Sequence, residues 1–116
     1  YPERPDLPVE RLDFTRLSRL DFQAPDEERF PAIRLARVAM ERGGLAGAVL
    51  NGAKECALEA FIDGEIGFLA MAEVVERVMD QLHGLGHGET LDAVYEADRE
   101  ARRLAREEIA TLRDAA

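Results

Sequence analysis

Two histidines, one cysteine and a large excess of carboxylates are the side chains here that invite a chemical reading. His83 and His87 stand four apart, a spacing that on a helix would present two imidazoles to one metal ion. Gly84, Gly86 and Gly88 interleave and follow them, so no helix holds the pair on one face. A zinc site takes three or four protein ligands, and no third is anchored nearby; the pair reads as a glycine-rich loop. Cys56 is the single cysteine, which excludes an internal disulfide and a thiolate cluster. It falls at helical spacing with Val49, Ala53 and Ala60, a stripe of small side chains in which a thiol is desolvated and structural rather than nucleophilic. Gly84-x-Gly86-x-Gly88 and Gly43-Gly44 follow no strand and read as turns, not as phosphate loops. Asn51 and Glu55 lie one turn apart, with Lys54 in the same polar sector, on a helix that is otherwise apolar. They either make a helix-end or inter-helix hydrogen bond, or they touch another domain or a ligand. The remaining carboxylate pairs read as solvated faces. No residue is expected to be catalytic, cofactor-binding or metal-ligating.

The element that carries Asn51, Glu55 and Cys56 is a central helix over about 46–62, stopped at Gly64. Val49, Ala53, Cys56 and Ala60 form its narrow stripe, Leu50, Ala57 and Phe61 widen it, and Leu58 and Ile62 lie opposite. A helix apolar on most of its circumference is packed between neighbours, which small residues let come close. Before it, Pro31 opens a helix over about 31–42 with an apolar face of Ala32, Ile33, Leu35, Ala36, Ala39 and Met40. After it, a helix over about 69–82 carries Phe68, Met71, Val75, Val78, Met79 and Leu82 inward. The last helix, about 91–112, is capped by Thr90; its stripe is Leu91, Val94, Ala97, Ala101, Leu104, Ala105, Ile109 and Leu112. On it Asp98–Arg102 and Arg103–Glu107 are spaced to pair. Asp98 and Glu108 project within the stripe, either at its edges or toward cations on a neighbour. The expected fold is all-α: a small bundle of about four helices, preceded by an extended arm with one or two short strands.

That arm, residues 1–29, is punctuated by Pro2, Pro5, Pro8 and Pro25 and contains Arg-Leu-Asp-Phe twice, at 11–14 and 19–22; the bundle takes residues 30–116. Leu12 and Phe14, then Leu20 and Phe22, alternate with polar residues as short strands do. Two such strands are unstable alone, so these side chains must lie on the helices or, the favoured reading, on a part of the protein outside this sequence. With Asn51 and Glu55 they are the candidate domain-interface residues.

A chain of 116 residues, 47% apolar and 34% charged, is a single globular unit at most, with a core of Leu, Val, Ala and Met in the absence of Trp. The net charge is -9, and residues 45–116 hold 15 acids against 7 bases, whereas residues 1–44 hold 9 against 8. Such a surface has no cationic patch for nucleic acid or an anionic membrane. No apolar run is long enough to span a bilayer and none resembles a signal peptide, so a cytoplasmic protein is expected. The absence of an initiator Met before Tyr1-Pro2-Glu3-Arg4 suggests a fragment or a processed product. The residues alone also admit a stand-alone acidic helical module that binds a basic partner.

Tyr1-Pro2-Glu3-Arg4, Leu12-Asp13-Phe14, Leu20-x-Phe22-x-x-Pro25-Asp26-x-x-Arg29-Phe30-Pro31, Leu50-Asn51-x-Ala53-x-Glu55, Ala60-Phe61 and Ile66-x-Phe68 occur here in that order. This set resembles the C-terminal third of the 1-deoxy-D-xylulose 5-phosphate (DXP) reductoisomerase family. In that family the central motif usually reads Leu-Asn-Ala-Ala-Asn-Glu; Gly52 and Lys54 depart from it. The resemblance implies a parent enzyme that rearranges DXP and reduces it with NADPH to 2-C-methyl-D-erythritol 4-phosphate, using Mg2+ or Mn2+, for isoprenoid precursor synthesis. It implies a cytoplasmic homodimer whose catalytic and NADPH-binding domains lie upstream of Tyr1. No cofactor is implied for the segment itself, whose implied role is a connecting arm and a non-catalytic helical domain.

Overall fold

Pro31 sets the first helix because its missing N–H is one that a helix start leaves unbonded. The chain reaches it through a turn built on Asp26, whose Oδ1 accepts from the N–H groups of Glu28 (3.1 Å) and Arg29 (2.9 Å). In a computed structural model that describes residues 2–3, 5–6, 8–86, 88 and 90–114, four helices follow. They are α1 (Pro31–Arg42), α2 (Ala46–Ile62), α3 (Phe68–Gln81) and α4 (Leu91–Asp114). Gly43 ends α1 at φ 65°. Gly64, at φ 74°, ends α2, where Glu65 N–H donates to Ala60 O (2.8 Å) and Gly64 N–H to Phe61 O (3.1 Å). These two bonds satisfy carbonyls that the helix leaves open. Thr90 Oγ1 accepts from Ala93 N–H at 3.2 Å, the cap expected for α4.

The core gathers on α2, which packs against α1, α3 and α4. Val49, Ala53, Cys56, Ala57 and Ala60 are buried, and so are Ala97, Ala101, Ala105 and Ile109 of α4. α2 approaches α4 closely at Gly52, where a Cβ would stand 3.0 Å from the Asp98 carbonyl oxygen, 3.0 Å from its Oδ1 and 3.3 Å from Ala101 Cβ. The glycine that departs from the family motif is therefore one where the α4 backbone leaves little room for a side chain. Four residues on, Cys56 Sγ lies 3.9 Å from Arg102 O, the next turn of the same seam.

Polar contacts join α1 to α3 and α3 to α4. Arg34 of α1 makes a two-pronged contact with Glu76 of α3, at 2.9 and 3.0 Å, and Arg42 donates to Met79 O at 2.8 Å. Glu108 accepts from Arg77 (3.1 Å) and Gln81 (2.7 Å) of α3, so it meets a cation on a neighbour; Asp98 instead takes Arg102 of its own helix at 2.8 Å.

The arm differs from expectation. Among the described residues it contains no strand. Asp13 instead folds the chain back: its Oδ1 accepts from Thr15 N–H (2.9 Å) and Thr15 Oγ1–H (2.6 Å), and its carbonyl accepts from Arg16 and Leu17. An Asx turn competes with extended pairing wherever no partner strand is offered. Several side chains assigned to apolar faces are also exposed: Met40 (82%), Leu91 (65%), Phe68 (61%), Ile33 and Phe61, together with Ala32 and Ala36 of α1. Val74, absent from the expected face of α3, is fully buried. α3 packs against α1, α2 and α4, so its buried arc is centred on Val74 and Val78, whereas α1 packs against α2 and α3 alone and buries less than its expected face.

Candidate interdomain surface

The side chains first singled out for chemistry lie apart. Cys56 is buried in the α2–α4 seam. His83 Nδ1 donates to Asp80 O at 2.6 Å, which caps the end of α3; His87 lies outside the described residues. Among the described residues no group of three or more His, Cys, Asp or Glu is placed to hold a metal ion. The carboxylates are spread along the helices and engaged by arginines: Glu76 by Arg34, Glu108 by Arg77, Glu100 and Glu107 by Arg103. Hydrogen bonding to Glu76 and to Glu108 holds the Arg34 and Arg77 guanidiniums protonated beyond their usual range, and the Arg103 hydrogen bond holds Glu100 below the usual carboxylate value. These are satisfied pairs on solvated faces. They leave no converging set of donors for a divalent ion, and no strand leads into a glycine-rich turn among the described residues for a dinucleotide.

What the fold leaves open is apolar. α1, α2 and α3 enclose a groove of about 440 Å³ whose floor is Leu35, Leu50, Met71 and Val75, and whose walls are Leu58 and Phe68. Leu58 is 41% exposed and Phe68 packs edge-on to Phe61, ring centroids 5.9 Å apart. Arg29, Phe30 and Pro31, where the chain enters α1, line the mouth. The two charged side chains lining the groove, Arg29 and Lys54, are both cations. Arg29 lies over the Phe30 ring, 5.6 Å from its centroid, and Lys54 Nζ meets Glu55 at 3.1 Å. Of the expected interface residues, Leu12, Phe14 and Leu20 are exposed and Phe22 is 88% exposed. Asn51 is exposed and Glu55 half-buried; among the described residues Asn51 has no side-chain hydrogen bond, and Glu55 pairs with Lys54, not with another helix. The groove itself escaped the reading of the sequence. Its signal was present in Leu58, Phe68 and Leu69, large apolar residues that line it and stay exposed because the four helices leave no element to cover them.

Residues 1–104 match the model of the DXP reductoisomerase C-terminal domain family. The chain is 69% identical, over 107 residues, to the 1-deoxy-D-xylulose 5-phosphate reductoisomerase of Rhizobium johnstonii, a match covering 92% of this chain and 27% of that protein. It is 64% identical over all 116 residues to the reductoisomerase of Agrobacterium fabrum, 29% of whose length is covered. Among solved structures, the Zymomonas mobilis reductoisomerase in complex with NADPH superposes with a TM-score of 0.77 at 44% identity, over 94% of this chain and 29% of that one. A reductoisomerase in complex with magnesium superposes at 0.80 and 33% identity, over 97% and 30%. The chain thus spans less than a third of the length of these relatives. With the ordered motifs of the arm and of α2 and the four-helix fold, the match over residues 1–104 has one meaning: the chain belongs to the DXP reductoisomerase C-terminal domain family.

Proposed function

We propose that this chain is the C-terminal domain of a cytoplasmic, homodimeric reductoisomerase that converts DXP to 2-C-methyl-D-erythritol 4-phosphate with NADPH and Mg2+ or Mn2+, and that its own role is to support the catalytic domain. Residues 1–29 are the connecting arm and residues 30–116 the supporting bundle. NADPH and the metal are assigned to the remaining part of the polypeptide, as the family resemblance implies. Within the bundle, ion pairs join α1 to α3 and α3 to α4, and the α2–α4 seam is lined by small residues.

The observation that carries the supporting role is the exposure of apolar side chains on the arm, Phe22 above all at 88%. Burying a Phe or Leu side chain stabilises by about 1.5–3 kcal/mol, so four of them held in water mark a surface built for a partner. In this reading Leu12, Phe14, Leu20 and Phe22 lie against the catalytic domain, and Asn51 and Glu55 contribute polar contacts. The test is made in the full-length enzyme. Replacing Leu12, Phe14, Leu20 and Phe22 together by Ser is expected to lower DXP-dependent NADPH oxidation by at least about tenfold, as loss of a few buried anchors does at other interfaces. Unchanged activity overturns the role given to the arm, and NADPH oxidation by the 116-residue chain alone, with DXP and Mg2+, overturns its non-catalytic assignment.

A further inference from the structure

The groove between α1, α2 and α3 is separate from the arm's exposed side chains and has its own selectivity. We infer that it seats an apolar, carboxylate-bearing segment of the catalytic part of the same polypeptide, an inference that rests on the supporting role proposed above. Charge, route and length each point to that occupant.

On a chain of net charge -9, the charged side chains that line this groove are nonetheless cations. Lys54 spends one N–H on Glu55 at 3.1 Å, an exposed contact between consecutive residues that leaves two donors for another acceptor. Arg29 makes no ion pair among the described residues and keeps its guanidinium against Phe30. An apolar floor under two cations selects a segment that brings Leu- or Phe-like side chains and an Asp or Glu together, because the carboxylate is then paired as it is desolvated. The route agrees: Arg29, Phe30 and Pro31 line the mouth, so the polypeptide leading into α1 runs along the lip of the groove. So does the length, because more than two thirds of each relative lies outside the match, and the arm connects this domain to it. A second copy is a poorer occupant. Two grooves meeting about a two-fold axis would set Arg29 and Lys54 of one against the same cations of the other.

The test is zero-length carbodiimide coupling in the full-length enzyme, with the joined peptides mapped by mass spectrometry. Lys54 is expected to couple to an Asp or Glu upstream of Tyr1, within one chain. Leu58→Asn removes the apolar groove wall without adding a carboxylate that could compete for Lys54, and is expected to lower the yield of that product by at least about tenfold. Since Leu58 is 41% exposed, the helical circular dichroism of this variant should equal that of the parent, which separates lost seating from lost folding. Coupling of Lys54 confined to Glu55 and its neighbours, or found only in a product of twice the chain mass, overturns the inference. If that occurs while the arm variant still loses activity, the supporting role stands and the groove is not its seat. If the arm variant is fully active while Lys54 couples upstream in a Leu58-dependent way, the groove is the seat and the arm's role is what fails.

Discussion

α2 is apolar round most of its circumference, yet its two sides have opposite fates. Toward α4 it offers Gly52 and Cys56, four residues apart, and these reach Asp98 O and Arg102 O, themselves four apart, so one turn of each helix meshes with one turn of the other. The other side carries Leu58, Phe61 and Ile62, all exposed. Small side chains closed a seam inside the domain; large ones were left where the domain ends. Hydrophobicity alone does not distinguish the two sides, since both are apolar. Size does: a Gly or Ala seam draws two backbones together and needs only a helix as its complement, whereas a wall of Leu and Phe needs a surface with knobs of its own. In this fold the small-residue seam is closed within the domain, and the large-residue wall is exposed, as the groove proposed to seat another segment requires.

The sharpest way to break that contrast is to put bulk in the closed seam. Gly52→Ala sets a gain in helix propensity of roughly 1 kcal/mol against a Cβ that meets Asp98 O at 3.0 Å, so its net effect is small. Gly52→Val adds two methyl groups at the same place and no comparable gain. We expect it to lower the unfolding free energy by about 3 kcal/mol, the upper end for overpacking, measured by urea denaturation of this chain. A loss below the scatter of surface substitutions would mean that α4 moves away freely and that the seam is not closed.

Much of this was legible in the residues. Pro31, Gly43, Gly64 and Thr90 are local signals, each acting through its own φ or its own hydrogen bond, and each marks a helix end where the sequence placed it. The Val49, Ala53, Cys56 and Ala60 stripe is a periodicity and is buried as expected. What escaped depends on neighbours. Whether Val74 or Phe68 is buried is decided by how many helices surround α3, which no single-helix projection contains. The strands expected from the two Arg-Leu-Asp-Phe copies failed for the same reason, since alternation predicts which face a strand would bury, but a ladder needs a partner edge and Asp13 found a turn instead. Gly52 shows the limit most plainly. The sequence marks it as unusual for the motif, and only the α4 backbone opposite explains why a glycine suits it.

A smaller effect sharpens the comparison from within the core. Val74 is fully buried, so Val74→Ala removes the equivalent of two methylene groups and leaves a void beside residues that are themselves packed. Transfer and cavity terms together give an expected loss of about 2 kcal/mol, read as a fall in the denaturation midpoint with an unchanged m-value. A near-zero effect would place Val74 with the exposed wall and return the buried arc of α3 to the single stripe expected from its sequence.

The smallest effect belongs to the open wall, and there smallness is the point. Leu58→Asp exchanges an apolar side chain, 41% exposed, for a carboxylate on a face that in this chain meets solvent. Three terms act on the isolated chain: partial loss of apolar contact with the groove, a slightly poorer helix former in mid-helix, and a carboxylate four residues from Lys54, with which it can pair across one turn. The first two oppose the third; for a side chain 41% exposed the apolar term is about 1 kcal/mol and the other two are tenths, so the expected loss of unfolding free energy is about 1 kcal/mol. That outcome, set beside about 3 kcal/mol for Gly52→Val, is the quantitative form of the difference between the two sides of α2. Should Leu58→Asp instead cost the isolated chain as much as a core substitution, the wall already has its complement within these 116 residues, and the dependence read from it is lost.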